Sequence, residues 1–156
     1  MKTLRIEEKN ARRLYSSASS EFKAMLEDTF GNDFFNKKIT DRIKSYEDAC
    51  EVLGYEPVNE GILTRLVFYE DEIAYRKLKT IAKALNEGWE PDWSNHEQYK
   101  YYGYLYTDTT GFVSAYTDFT AASAPVGSRI CFKNRELTLY AITQFKTLYE
   151  EYFFIK

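Results

Sequence analysis

At 156 residues with a net charge of −3 and interspersed signs, the chain fits one domain and carries no global field for nucleic acid or an anionic membrane. Glycine and proline are scarce and apolar content is ordinary, which argues against long disordered stretches. Cys50 and Cys131 stand far apart in no CxxC pair. They read as buried thiols of a reducing compartment rather than as a disulfide framework.

The N-terminus lacks the apolar run of a signal peptide, and no span approaches the ~20 apolar residues of a membrane helix. A soluble, cytoplasmic protein without membrane contact is the expectation.

In chain order, residues 3–17 carry Leu4, Ala11, Leu14 and Tyr15 at helical spacing, which predicts an amphipathic helix. Ser16, Ser17, Ser19 and Ser20 stop it and offer an N-cap to a second helix. That helix places Phe22, Met25, Leu26 and Phe30 on one face, with Gly31 after its end. Phe34, Phe35 and Ile39 lead into a third helical segment. Ser45 followed by Asp48 forms a capping box opening a helix that ends at Gly54. Tyr55 to Gly61, with Pro57 and Asn59, is the best linker in the chain.

Ala74, Leu78, Ile81, Ala82 and Leu85 then mark one face of a helix ending near Glu87, with Gly88 as its C-terminal cap. Its acidic residues precede its basic ones (Arg76, Lys77, Lys79, Lys83), in the order that complements the helix dipole. Tyr99–Tyr106 and Phe112–Tyr116 read as strands about the turn Asp108–Gly111, with Val126–Phe132 as a third strand. Asn134 caps a final helix with Leu137, Ala141, Phe145, Leu148 and Tyr152 at spacings of three and four. The expected fold is α+β: a helical N-terminal portion, then a three-stranded antiparallel β-meander covered by the C-terminal helix. It forms a single domain over 1–156, with a subdivision into 1–55 and 62–156.

Residues 88–106 hold both tryptophans and five of the fourteen tyrosines. At that density the rings either plate a core or form a contact surface. As core, Tyr99, Tyr101 and Leu105 face the covering helix and Tyr102, Tyr104 and Tyr106 pack beneath the front helices. As a surface, Trp89, Trp93, Tyr102, Tyr104 and Tyr106, interleaved with Lys100 and joined by Arg129 and Lys133, stack unpaired bases or meet another ligand.

His96, the sole histidine, lies in a polar turn, and neither a metal-ligand set nor a nucleophile with its base is legible. No cofactor and no enzymatic activity are expected. At the C-terminus, Tyr152, Phe153, Phe154 and Ile155 are consecutive, more apolar side chains than one helical stripe buries. They are the candidate self-association patch, against a rival in which they tuck within the monomer.

Asn86–Trp93, Val126–Lys133 and the closing Gln144-Phe-x-x-Leu-Tyr, with Met25–Gly31 and Tyr46–Gly54, cover most of the chain. In these segments it resembles proteins of unknown function encoded in prophages and mobile elements of Bacteroidetes. The resemblance implies a bacterial cytoplasm or a phage particle as the setting, and carries no catalytic residue. Those proteins have Pro-Trp after the paired tyrosines, where this chain has Gly103-Tyr104. The functional expectation is a non-enzymatic accessory protein acting through protein–protein or assembly contacts, self-association included. The alternative is a nucleic-acid-binding accessory protein using the aromatic strands.

Overall fold

The computed structural model describes residues 6–65, 69–108, 111–121 and 129–154, and within them the chain is mixed α and β. It divides into two units, Met1–Arg42 and Ile43–Lys156. The first holds α1 (Glu8–Ser17), α2 (Ser20–Phe30), α3 (Asn32–Asn36) and α4 (Ile39–Arg42). Of the serine cluster expected to supply an N-cap, Ser19 starts α2, its side chain accepting from the Phe22 amide. Ala11 and Leu26 are buried, whereas Met25 is exposed rather than on the buried face. The packing here is aromatic: Tyr15 stacks on Phe35 at 4.1 Å, and the Arg12 guanidinium lies 3.7 Å over the Phe34 ring.

The second unit opens with α5 (Tyr46–Leu53), followed by α6 (Glu60–Arg65) and α7 (Glu70–Leu85). The capping box forms in full. Ser45 Oγ accepts from the Asp48 amide at 3.1 Å, and Asp48 Oδ2 accepts from the Ser45 amide at 2.8 Å. Gly54 ends α5 in the left-handed region, at φ 70°. The 55–59 segment proves to be a connection within this unit: α5 packs on α7, and the Val58 amide donates to the buried Tyr46 hydroxyl at 3.1 Å. The start of α7 is acidic (Glu70, Asp71, Glu72), and Ile73, Ala74, Leu78, Ile81, Ala82 and Leu85 are its buried side. The helix closes at Leu85 with Asn86 as its cap, two residues before the expected Gly88.

Strands β1 (Lys100–Asp108) and β2 (Gly111–Thr120) pair antiparallel, Tyr102 opposite Asp118 and Tyr104 opposite Tyr116, with a register shift between Tyr106 and Thr107. Of the expected third strand, residues 126–128 lie outside the described residues and Arg129–Cys131 are turn and coil. Among the described residues of this segment Phe132 alone reaches the sheet, as an isolated bridge in which it and Tyr101 exchange both backbone hydrogen bonds, at 2.8 and 3.0 Å. The described sheet is therefore two-stranded. The pairing groups on either side of Phe132 are taken by the Asn86 side chain instead.

The single terminal helix expected from periodicity is two: α8 (Arg135–Gln144), capped by Asn134, and α9 (Lys146–Phe153), which meet at the buried Phe145. The break divides their tasks. α8 covers β1 and β2, and α9 runs against α7 and reaches β1. No described helix is long and apolar enough to cross a membrane.

Alternation along β1 decides which face each helix meets. Gly103 lies against α8 so closely that a Cβ there would sit 2.8 Å from Ile142 Cδ1 and 3.4 Å from its Cβ. Ile142 is fully buried and has little room to yield. Gly103→Ala should destabilise the protein by about 1–3 kcal/mol, and adding Ile142→Val should recover part of that loss. Denaturant melts of the two single variants and the double variant check this. Strict additivity would show that the close approach does not limit the site.

Candidate functional site

The even-numbered residues of β1 lie on the face opposite Gly103's close contact, and this face changes character along the strand. At its start Lys100 is fully buried. Its ammonium donates to the carbonyls of Asn95 at 2.8 Å and Ala121 at 3.0 Å, and lies 5.4 Å from the centre of the Trp93 ring. The flexible stem is what lets a cation reach this position. Lys100 is thus a fastening of the loop onto the hairpin, not the solvent-facing cation expected beside the rings.

Further along, Tyr102 is half-buried, its hydroxyl 3.5 Å from Asp118 Oδ2. Burial first, and then the Asp118 charge, push its ionisation above the ordinary tyrosine value. Tyr104 and Tyr116 stack across the strands at 5.7 Å, and Tyr106 meets Tyr116 edge-on at 6.4 Å. These three are 42 %, 57 % and 47 % exposed (Tyr104, Tyr106, Tyr116). Tyr104 and Tyr106 are therefore not buried beneath helices. They are open rings on a paired strand, held by ring–ring contact.

The remaining expected residues divide. Trp89 is half-buried, its amide donating to the Asn86 carbonyl at 3.0 Å, and Trp93 is half-buried beneath Lys100. Arg129 is exposed in a turn, and Lys133 pairs with Glu87 at 3.3 Å. His96 is exposed in its turn. At the C-terminus Tyr152 stacks on Tyr75 of α7 at 5.2 Å, Phe153 is 39 % exposed, and Phe154 is half-buried and leaves the helix. Ile155 lies outside the described residues.

The fold joins the two candidate groups, which are fifty residues apart in sequence. Tyr102, Gly103 and Tyr104 from β1, Ile130, and Tyr149, Tyr152 and Phe153 from α9 line one open cleft of about 110 Å³. Tyr149 is almost wholly buried, and among the described residues its hydroxyl is the one buried side-chain polar atom without a hydrogen-bond partner. Burial drives its ionisation far above the ordinary range, so the group is a neutral phenol.

Sequence reasoning did not mark Tyr149, Tyr116 or Ile130 as site residues. Tyr116 follows from the hairpin register about Asp108–Gly111, but nothing local places Tyr149 or Ile130 beside β1. No protein-family model, curated protein or solved structure matches the chain.

Both thiols are buried, and burial pushes the Cys131 thiol from an ordinary 9.0 to about 11. That cuts its thiolate at pH 8 by about a hundredfold. With a chromogenic disulfide reagent at pH 8, native Cys131 should react at least about a hundredfold more slowly than in the denatured chain. Fast labelling in the native state would show that the thiol is accessible.

Proposed function

We propose that this chain is a non-enzymatic accessory protein that acts through protein–protein contact, including association with a second copy, by the tyrosine face of its hairpin. The observation that carries this reading is the exposed set Tyr104, Tyr106 and Tyr116, in which Tyr116 stacks on Tyr104 and meets Tyr106 edge-on. Large rings already held in place contribute contact area with little further loss of side-chain freedom, and tyrosine is enriched at protein interfaces for that reason. A non-enzymatic role is supported by an isolated, exposed histidine and two buried thiols. The resemblance to mobile-element proteins supports a bacterial cytoplasm or a phage particle as the setting.

The alternative is a surface that stacks unpaired bases. Such a platform needs cations along its track, and here Lys100 is buried under carbonyls while Lys133 pairs with Glu87. Along α7, Lys77 binds Glu60 and Lys83 donates to the Tyr55 hydroxyl at 2.7 Å. The charge therefore favours a protein over a polyphosphate.

The full chain should show a concentration-dependent dimer in light scattering. The triple variant Tyr104→Ser, Tyr106→Ser, Tyr116→Ser should be monomeric, with a melting temperature close to that of the parent. A gel shift with single-stranded DNA at two salt concentrations distinguishes the alternative. A monomer at every concentration that binds DNA in a steeply salt-dependent way would overturn the protein-contact reading in favour of the second. A monomer that binds no DNA would overturn the self-association form outright.

A further inference from the structure

The cleft between β1 and α9 combines aromatic walls with a charge that no described residue balances. Tyr102, Tyr104, Tyr149, Tyr152 and Phe153 are five of its seven described lining residues. Two of these rings are braced from outside. Tyr152 stacks on Tyr75 at 5.2 Å and Tyr104 on Tyr116 at 5.7 Å, and neither partner lines the cleft. Phe153 packs at 42° to Tyr152 and at 31° to Tyr149, so the α9 rings are set at angles to one another. Walls held in this way are formed before any occupant arrives, which removes much of the ordering cost of binding.

Charge is the second, independent observation. Asp118 Oδ2 stands 3.5 Å from the hydroxyl of the lining residue Tyr102, and Oδ1 accepts the Phe119 amide at 2.8 Å. Among the described residues no lysine or arginine pairs with that carboxylate, and none lines the cleft. Burial, and then the Asp118 charge, raise the ionisation of Tyr102, so its phenol stays neutral and the carboxylate bears the charge. The chain already sets its own ammonium groups over other rings: Lys79 over Tyr75 at 4.8 Å, and Lys83 over Tyr55 and Lys100 over Trp93, both at 5.4 Å.

We propose that this cleft is a binding site for a methylated ammonium group, a trimethylammonium head carried by a small molecule or by a modified lysine side chain. An aromatic face attracts a cation within about 6 Å of its centre, most strongly where the cation has shed its water. Methylation selects the ligand. A bare ammonium leaves strong hydrogen bonds to water behind on entering an apolar cleft, whereas a trimethylammonium group has none to lose. Size agrees with this choice. A cavity of roughly 150 Å³ holds benzene; a trimethylammonium head has fewer heavy atoms and matches about 110 Å³, its chain leaving by the open side. Asp118 adds attraction at longer range and repels carboxylates and phosphates.

The site does not rest on the tyrosine-face contact, and its test uses variants outside that set. Calorimetry or ligand-observed NMR on the full chain would compare choline with its neutral carbon isostere, in which tert-butyl replaces trimethylammonium. A short peptide with trimethyllysine, beside its unmodified lysine counterpart, distinguishes the sources. Tighter binding of the methylated peptide than of choline places the group on a protein, and weaker binding places it on a small molecule. The trimethylammonium probes should bind in the millimolar range or better, and the isostere and the unmodified peptide at least about tenfold more weakly. Phe153→Leu keeps apolar bulk at a partly exposed position; it should weaken choline about three- to tenfold and leave the isostere unchanged. Asp118→Asn should weaken choline about two- to fivefold, with a smaller loss at high salt. Binding of neither trimethylammonium probe, an isostere or unmodified peptide that binds as tightly, equal loss of the isostere in Phe153→Leu, or full choline affinity in either variant would each overturn the proposal.

Discussion

The second unit depends on what the side chain of Asn86 does. Its amide nitrogen donates to the Cys131 carbonyl at 2.8 Å, and its oxygen accepts from the Lys133 amide at 3.0 Å. In extended backbone, alternate residues direct their N–H and C=O groups to opposite sides. Phe132 uses one side to pair with Tyr101, and the Asn86 carboxamide occupies the other, standing in for the peptide group of a neighbouring strand. The same residue closes α7 through its own amide on Ala82 and accepts the Trp89 amide on its carbonyl. One residue thus joins the end of a helix, the start of the aromatic loop and a segment 45–47 positions away. Each hydrogen bond contributes on the order of 1 kcal/mol net, but leaving either buried backbone group unpaired would cost about 1–3 kcal/mol.

From that fastening the position of the aromatic strand follows. With Phe132 held by Asn86, Tyr101 has a fixed partner, and the alternation of β1 is then set relative to the helices. Gly103 turns its bare Cα towards Ile142 of α8, and Tyr102 and Tyr104 turn towards α9. Lys100, next to the bridge, is drawn inward and ties the 92–98 loop to the end of β2. From Tyr104 onward the helices no longer bury the even face, and the strand pair carries its rings outward. Structural fastening at one end of the hairpin and an open aromatic face at the other are two results of one register.

What was legible in the sequence is what local chemistry decides. Ser19, the Ser45–Asp48 pair and Asn134 start their helices as read, because a cap involves side chains and amides three residues apart. The hairpin about Asp108–Gly111 is similarly local. The third strand is not confirmed among the described residues, because a β-rich composition reports only a preference for extended backbone. Whether extended backbone joins a ladder depends on what faces it, and here a side chain 45 positions earlier does. Likewise the apolar spacing of Leu137, Ala141 and Phe145 continues through the junction at Phe145, so periodicity shows one helix where the backbone makes two. The candidate residues were half legible for the same reason. The density of rings in 88–106 marked the right strand, but which rings are covered depends on where α8 and α9 stop. Tyr149 has no local mark at all; it looks like any tyrosine on an apolar helical stripe.

Amide hydrogen exchange in the native protein tests the Asn86 fastening most directly. Among the described residues Lys133 N–H is bonded to the Asn86 side chain, whereas Phe132 and Tyr101 are bonded to each other. If the carboxamide serves as a strand neighbour, the amides of Tyr101, Phe132 and Lys133 should exchange together, with opening free energies close to those of the slow amides in α7. Fast exchange at Lys133 and Phe132 beside a protected α7 would contradict it, because the segment would then be an ordinary loop and the register of the aromatic strand would need another cause.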